Sequence, residues 1–281
     1  MNYISLGGWC GTRIAINLCS SYNGPTLPFD YVKSSFSGVI DCIENDFINF
    51  FPKDNSVCNQ FRPVWKFNVF MSDCVSFWHP DHDIREESVV ESFKRKIKRF
   101  DETILKNNCI FLRTIMTDDY NSETKLRKNF HSIMERKYPS VSYVLIFIIP
   151  TENQSATKYY KPLDNKTFLF TLKRSKDPLK EAKENYDNVF DTIEKYDFLN
   201  NEFPEENNIT VIPPLNSYSY VNNCPILNVN DNFCYNENKK EYTLFTKDYN
   251  SKKEWYNKVR EIKSKNKIIE KSNNSITYVI V

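Results

Sequence analysis

Glycine is scarce in this chain of 281 residues, and its few occurrences are clustered. There are five glycines, and none lies beyond residue 38. In a chain that otherwise avoids glycine, the positions that keep it are those where the backbone needs a positive φ or a close approach. The first 40 residues are therefore the first place to look for a functional site. The glycines are Gly7, Gly8, Gly11, Gly24 and Gly38.

Three further absences exclude whole classes of protein. The chain has no apolar run of about 18 residues and a mean hydropathy of −0.57, which predicts no transmembrane helix. Its start, MNYISLGGWC, lacks the basic segment and apolar core of a signal peptide. Lys plus Arg (38) barely exceeds Asp plus Glu (36), so no basic field directs the chain to nucleic acid or to an acidic membrane. We therefore expect a cytoplasmic protein, in the host cytoplasm if the source is viral, with eight reduced cysteines.

Apolar segments that alternate with amphipathic ones predict the fold class. Strands that are apolar throughout, separated by helical segments, are typical of a parallel sheet covered by helices on both faces. We expect an α/β domain over residues 1–215, with a mainly parallel central sheet, and a less regular extension over 216–281 that packs on the same domain. Strands are predicted at 2–6, 64–70, 109–115, 143–149, 167–172, 208–212 and 276–281, and helices at 12–20, after Ser34 and Ser35, and at 86–106, 122–138, 178–198 and 252–262.

Cys10 is the candidate nucleophile. It stands in the segment GGWCGT (7–12), where the first predicted strand gives way to the first predicted helix. A thiol there is near the positive end of the helix and near backbone N–H groups, and both favour the reactive thiolate with a lowered pKa. The same N–H groups can hold an oxyanion, and the flanking glycines would let a substrate backbone approach closely. The plainer alternative is a small buried hydrophobic residue, as most cysteines outside disulfides are.

Only three histidines are available to act as a base. His79 and His82 lie in the segment FWHPDHD (77–83), whereas His131 lies inside a predicted helix and is expected to be structural. A cysteine nucleophile needs a base, and a carboxylate orients it. We favour His79, because two aromatic residues before it and a proline after it fix the loop, and we expect His82 to be the more solvated. The segment also offers ligands for zinc or manganese, and its plainest interpretation is two surface histidines.

Further residues complete the candidate site. Asp30, in the segment PFDY (28–31), either caps a turn, orients the base or binds substrate, and Asp81 or Asp83 could orient the base in its place. Arg113 ends a predicted strand, and sites of parallel sheets gather at strand carboxyl ends, so it either contacts substrate or forms a salt bridge. Gly8, Trp9 and Gly11 are the other candidate substrate contacts. No CxxC pair occurs, so neither a zinc site built from cysteines nor a cofactor is expected.

Taken together, these segments resemble a known family, the papain-like cysteine peptidase family of unknown function found in bacteria, eukaryotes and some large DNA viruses. Its pattern is an SLG-x-x-C start followed by a PFDW-like motif, and here Tyr31 stands in place of the Trp. The resemblance covers about residues 3–150 and rests on SLGGWCGTRIAINL (5–18), LPFDYVKSSFSGV (27–39), ENDFINFF (44–51), FWHPDHD (77–83), KRKIKRFDETI (94–104) and CIFLRTI (109–115).

The resemblance implies a Cys–His hydrolase that acts on a peptide or another amide, with Cys10 as nucleophile and His79 or His82 as base. We take "papain-like" as a statement about chemistry and keep the α/β architecture as the predicted fold. Two alternatives stay open. One is a nucleotide- or phosphate-binding α/β enzyme, such as a transferase, in which Gly7 and Gly8 cradle a phosphate and the histidine segment holds a divalent metal. The other is a non-enzymatic protein that engages host factors, if the source is viral.

Overall fold

The computed structural model describes residues 1–20, 22–54, 60–62, 67–106, 108–116, 120–151, 160–173 and 186–200 and, beyond these, six strands. The helices in these parts are α1 (Gly11–Cys19), α2 (Phe36–Glu44), α3 (Glu87–Ile104), α4 (Tyr120–Lys125), α5 (Arg127–Lys137) and α6 (Asp187–Lys195). The strands up to residue 200 are β1 (Asn2–Ser5), β2 (Val32–Ser34), β3 (Gln60–Arg62), β4 (Phe67–Met71), β5 (Val75–Phe77), β6 (Cys109–Thr114), β7 (Tyr143–Thr151), β8 (Tyr160–Asp164) and β9 (Thr167–Lys173). The later strands are β10 (Tyr218–Val221), β11 (Cys224–Leu227), β12 (Phe233–Asn236), β13 (Glu241–Phe245), β14 (Asn266–Lys271) and β15 (Ser275–Ile280). No described helix is long and apolar enough to cross a membrane.

The central sheet is mainly parallel, as the sequence predicts. Its strand order is β1-β6-β7-β9-β8, and each neighbouring pair is parallel except β8 with β9. Alternate side chains of β6 enter two different cores: Ile110 and Leu112 lie in one, and Phe111 lies in the other. Burial on both faces favours apolar residues at nearly every position of a strand, which explains the near-continuous apolar runs.

Helices cover both faces of this sheet. On one face, α1 and α6 contribute Ile16 and Phe190 to the core. On the other face, α2, α3 and α5 contribute Phe36, Phe100 and Phe130. The prediction of an α/β fold with helices on both sides of a parallel sheet is therefore confirmed.

Several predicted elements differ in detail from the structure. The segment predicted as one helix at 122–138 forms two helices. α4 ends at Lys125, α5 begins at Arg127, and Leu126 lies between them. The sequence pattern does not predict β2 and β5, which join β4 and β3 in an antiparallel sheet of order β2-β5-β4-β3. The strand predicted at 208–212 and the helix predicted at 252–262 lie outside the described residues, and of the helix predicted at 178–198 the structure describes α6. The boundary at residue 215 stays a prediction.

Candidate active site

The turn formed by Gly7 and Gly8 leads from β1 to α1 at the carboxyl end of the central sheet. Both residues have a positive φ, 72° and 90°. A Cβ on Gly7 would lie 2.4 Å from Ser34 Oγ, and a Cβ on Gly8 would lie 2.0 Å from the carbonyl oxygen of Thr114. Only glycine combines this conformation with these contacts, so the expected need for a positive φ and a close approach is confirmed.

The close approach is to the protein itself rather than to a substrate. The Gly8 N–H donates to Ser34 Oγ at 3.3 Å, and the Gly7 N–H donates to Ser5 Oγ at 3.2 Å. The predicted substrate contact at Gly8 therefore gains no support from this geometry. A phosphate cradle made from the N–H groups of Gly7 and Gly8 gains none either, because both groups already have acceptors.

Trp9 packs down on the first turn of α1. Its ring covers Gly11, where a Cβ would lie 2.1 Å from a ring carbon. Trp9 is 9 % exposed and forms a small apolar cluster with Met116. Cys10 packs against this cluster. Gly11 thus admits the Trp9 ring, and this packing gives no support to the substrate contacts predicted for either residue.

Buried hydroxyl groups fix the start of α1 to the sheet. Thr12 Oγ1 lies 2.8 Å from Thr114 Oγ1, which lies 2.7 Å from the hydroxyl of Tyr186. Thr12 Oγ1 also donates to the carbonyl of Gly7 at 3.4 Å. Because Thr114 ends β6 and Tyr186 directly precedes α6, these bonds hold the first turn of α1 at the carboxyl edge of the sheet.

Arg113 is fully buried and supports the glycine turn from within the protein. Its Nη1 donates to the carbonyl of Leu6 and to Ser34 Oγ, each at 3.0 Å, and its Nη2 donates to the carbonyl of Ser34 at 2.7 Å and to Glu123. Its Nε donates to Glu123 Oε1 at 3.0 Å, and that oxygen also accepts the N–H of Phe36 at 2.9 Å. All five guanidinium N–H groups have acceptors, so the salt-bridge interpretation is confirmed and the predicted substrate contact is not supported.

Cys10 is the N-cap residue of α1, as predicted, and is half-buried. Burial raises the pKa of its thiol, while the charge of Lys33 and the N–H groups of Cys10 and Gly11 lower it by less. The prediction of a lowered pKa is therefore wrong. Removing the thiol from water disfavours the thiolate more than the helix end favours it. The thiol of Cys10 is protonated at neutral pH.

The two candidate bases lie side by side in the loop after β5, with ring centroids 5.0 Å apart. His82 is 4 % exposed, and its ring packs edge-on against Phe93 of α3 at 5.0 Å. His79 is half-buried, and its ring contacts that of Tyr31 at 5.8 Å. The prediction that His82 is the more solvated histidine is wrong, because packing against α3 outweighs the polar residues on either side of it.

Both imidazoles are neutral at pH 7. Burial lowers the pKa of His79; Asp81 opposes this effect, and Lys33 and Lys96 add to it. Burial also lowers the pKa of His82, and the neighbouring His79 lowers it further. A neutral imidazole can accept a proton, and His79 is more exposed to solvent than His82. His79 stays the preferred base.

Asp30 is buried and acts on its own loop rather than on a histidine. Its Oδ2 accepts the N–H of Leu27 at 2.7 Å and lies 3.5 Å from Arg13 Nε. Burial raises the pKa of Asp30 to about 7, against the lowering effects of Arg13 and the Leu27 N–H. The turn-capping interpretation is confirmed. In the described part of the chain no hydrogen bond joins Asp30 to His79 or His82, and its role as an orienting group stays a prediction.

Two residues that the sequence did not single out for a functional role interact electrostatically with the thiol and contact or influence His79. Tyr31 packs against the ring of His79, and Cys10 adds to the rise that burial causes in the pKa of Tyr31. The charge of Lys33 acts on both Cys10 and His79, and its Nζ lies 3.4 Å from the centroid of the Trp78 ring. Within the described residues no hydrogen bond joins the thiol to an imidazole. Catalytic hydrogen bonds are often long before substrate binds, so this geometry leaves the Cys–His pairing a prediction.

Neither a disulfide nor a metal-binding cluster occurs in the part of the chain that the structure describes. The cysteines among the described residues up to residue 200, namely Cys10, Cys19, Cys42, Cys74 and Cys109, are thiols. No group of three or more His, Cys, Asp or Glu side chains among these residues is arranged to hold a metal ion. The metal-binding interpretation of segment 77–83 therefore gains no support.

The fold and the site define an α/β protein with a parallel sheet, in which a glycine turn brings a thiol to a helix N-terminus at the carboxyl edge of that sheet. The chain belongs to the family described as "putative papain-like cysteine peptidase", whose sequence model matches residues 1–153. The resemblance inferred from the motifs is thereby confirmed, over nearly the same segment. The chain has no match among curated proteins or among solved structures.

Proposed function

We propose that this protein is a cysteine peptidase or a related thiol-dependent amide hydrolase, with Cys10 as nucleophile and His79 as base. One observation carries the proposal. Cys10 follows a turn that only glycine can form and begins α1 at the carboxyl edge of the sheet, within the segment that the family model matches. Ligands of open α/β sheets bind at that edge. The N–H groups of Cys10 and Gly11, which act on the sulfur, supply donors for an oxyanion.

The reaction starts from an uncharged pair. Because burial raises the pKa of the thiol and lowers that of His79, the thiol keeps its proton and the imidazole can accept one. As the Sγ–C bond to the amide carbonyl forms, the imidazole takes the thiol proton and the carbonyl oxygen becomes the oxyanion. The imidazolium then protonates the leaving nitrogen as the C–N bond breaks. Water hydrolyses the remaining thioester, with the imidazole again acting as base.

Asp81 is the carboxylate that we assign to orienting the histidines. Its negative charge raises the pKa of both rings against the effect of burial. The other nearby carboxylates are engaged elsewhere: Asp83 accepts a hydrogen bond from Arg85 at 2.6 Å, and Asp30 pairs with Arg13. A carboxylate beside a general base stabilises the imidazolium that forms during the reaction.

Cleavage of a degenerate peptide library, analysed by mass spectrometry, tests the proposed activity. Cys10→Ala removes the nucleophile and should abolish cleavage. His79→Ala should lower kcat/KM by about 10²–10⁴-fold, the usual contribution of a general base. Cys19→Ala is the matched control, because Cys19 is a half-buried thiol at the other end of the same helix, and this variant should cleave as the wild type does.

A second readout requires no substrate. Alkylation of Cys10 by iodoacetamide, measured by mass spectrometry at several pH values, reports how easily the thiol loses its proton. We expect slow alkylation at pH 6, because the thiol pKa is raised, and a further decrease in His79→Ala at neutral pH. Library cleavage that survives Cys10→Ala overturns the proposal, as does an absence of cleavage combined with alkylation that does not depend on His79.

A further inference from the structure

Arg13 and Asp30 form a buried ion pair between α1 and the turn that precedes β2. Arg13 lies in the first turn of α1, the helix that Cys10 caps, and is 3 % exposed. Its Nε lies 3.5 Å from Asp30 Oδ2, and its Nη2 donates to the carbonyl of Gly24 at 2.7 Å. Asp30 Oδ2 also accepts the N–H of Leu27 at 2.7 Å. The pair therefore ties the helix of the proposed nucleophile to the chain segment before β2.

Tyr31 connects this pair to the proposed base. It directly follows Asp30 in the turn and directly precedes β2. In the pairing of β2 with β5, Val32 lies opposite Phe77, so the residues next to these strand ends are brought together. The rings of Tyr31 and His79 accordingly meet edge to face, with centroids 5.8 Å apart and planes at 82°. Contacts thus run from the helix of the thiol, through the buried pair and Tyr31, to His79.

The ion pair is only partly hydrogen-bonded, although it is buried. Among the described residues, Arg13 Nε and Nη1 and Asp30 Oδ1 have no hydrogen-bond partner. Burial raises the pKa of Asp30 to about 7, against the lowering effects of Arg13, of a backbone N–H and of Lys96 on α3. Asp30 in turn adds to the rise that burial causes in the pKa values of Tyr22 and Tyr31. The charge on Asp30 therefore changes near neutral pH, and its attraction to Arg13 changes with it.

We propose that the Arg13–Asp30 pair positions the base, because it holds His79 in place through Tyr31. This inference rests on the proposed function and adds the residues that align its base. A base must stay within about 2.6–3.2 Å of the proton it removes, and a misplacement of about 1 Å can cost about 10²-fold in rate. Loss of the charge on Asp30 leaves the buried guanidinium without its counter-charge. The turn then no longer holds the Tyr31 ring against His79.

The imidazole NMR signal of His79 reports this coupling without any substrate. In the proton–carbon correlation spectrum the signal is assigned by its absence from His79→Gln. In the wild type it should show, besides its own titration, a second inflection near pH 7, where Asp30 loses its proton, and Asp30→Asn should lack that inflection. Asp164→Asn is the matched control. Asp164 also pairs with an arginine, and its Oδ1 lies 3.7 Å from His131 Nε2, so this variant should shift the His131 signal and leave that of His79 unchanged.

Variants of Tyr31 test the route of the coupling. Tyr31→Phe keeps the ring and should keep the second inflection, whereas Tyr31→Ala should remove it. In Tyr31→Ala, adding Asp30→Asn should leave the His79 signal unchanged, because both substitutions break the same chain of contacts. A direct effect of the Asp30 charge through space would persist in Tyr31→Ala and would overturn the proposal. If Asp30→Asn does not fold, the comparison of the wild type with Tyr31→Ala decides in its place.

Cleavage of the peptide library gives the functional readout. For a peptide that the wild type cleaves, Asp30→Asn should lower kcat by about 10-fold to 10²-fold and leave KM nearly unchanged, since the pair aligns the base and does not bind substrate. Arg13→Lys, which keeps the charge, should retain more activity than Arg13→Met. A His79 signal with a single inflection in the wild type, or with the same titration in Asp30→Asn, overturns the positioning role. A wild type that shows the coupling but cleaves no peptide overturns the proposed function instead.

Discussion

Replacing Arg113 with methionine tests whether the buried guanidinium holds the glycine turn in place. Arg113 joins the end of β1 to Ser34 and to Glu123 through five hydrogen bonds. Methionine keeps a flexible apolar stem and removes every donor. The carboxylate of Glu123, which is 4 % exposed, would then keep the N–H of Phe36 as its remaining partner among the described residues.

The expected loss is large because a buried charge would be left without compensation. Removing one member of a buried ion pair costs about 3–5 kcal/mol, whereas a domain is typically stable by about 5–15 kcal/mol. Urea unfolding at pH 7, followed by tryptophan fluorescence, should therefore show a markedly lower midpoint for Arg113→Met. Arg127→Met is the control: the Arg127–Asp164 pair, at 2.8 Å, is partly exposed and should contribute about 0–1 kcal/mol.

A double variant separates the uncompensated charge from the loss of packing. In Arg113→Met combined with Glu123→Leu, no buried charge remains at this position, so part of the lost stability should return. It should not return completely, because the carbonyls of Leu6 and Ser34 still lack the donors that Arg113 supplied. The reasoning is refuted if Arg113→Met costs no more than Arg127→Met, or if the double variant is no more stable than Arg113→Met.

Other substitutions test backbone strain, capping and protonation separately. Gly8→Ala places a Cβ 2.0 Å from the Thr114 carbonyl oxygen at a φ of 90°, and thermal unfolding should show a loss greater than the about 1–3 kcal/mol that a strained φ alone costs. Ser35→Ala removes the hydroxyl that accepts the Gly38 N–H at the start of α2, and urea unfolding should show a loss of about 1 kcal/mol. Burial lowers the pKa of His82 in the folded chain from its ordinary value of 6.5. At a pH below 6.5 the unfolded chain therefore binds more protons than the folded chain, and the contribution of His82 to stability falls as the pH falls. His82→Phe should reduce the pH dependence of the free energy of unfolding, measured by urea titration between about pH 7.5 and 5.5, by at most about 1.4 kcal/mol per pH unit, and an unchanged dependence contradicts this account.

The central sheet could be predicted because burial on both faces leaves a direct mark in the sequence. Every residue of β6 is buried, and its first four residues form the apolar run that burial on both faces favours, while Arg113 and Thr114 at its carboxyl end are buried polar residues. The small antiparallel sheet could not be predicted in the same way. Its strands β2 and β5 have three residues each, too few for an alternating pattern, and their pairing joins segments about 40 residues apart.

The glycine turn before Cys10 could be predicted from the sequence, but the protonation of the groups near it could not. The restriction of glycine to the first 38 residues pointed to the turn before Cys10, and the structure places that turn at the carboxyl edge of the sheet. The pKa of the thiol depends on how far folding removes the Cys10 sulfur from contact with water. The sequence around Cys10 does not show that degree of burial. Burial of the His82 ring is set by Phe93 on a later helix, which no local pattern links to it.

In the proposed mechanism Cys10 and His79 both rest neutral, so the thiol loses its proton only as it attacks the substrate. Lys33 lowers the pKa of the thiol and also that of the imidazole, so it favours loss of the thiol proton while it opposes its acceptance by His79. A half-buried thiol that stays protonated until substrate binds reacts slowly with other electrophiles, since the thiolate is the reactive form.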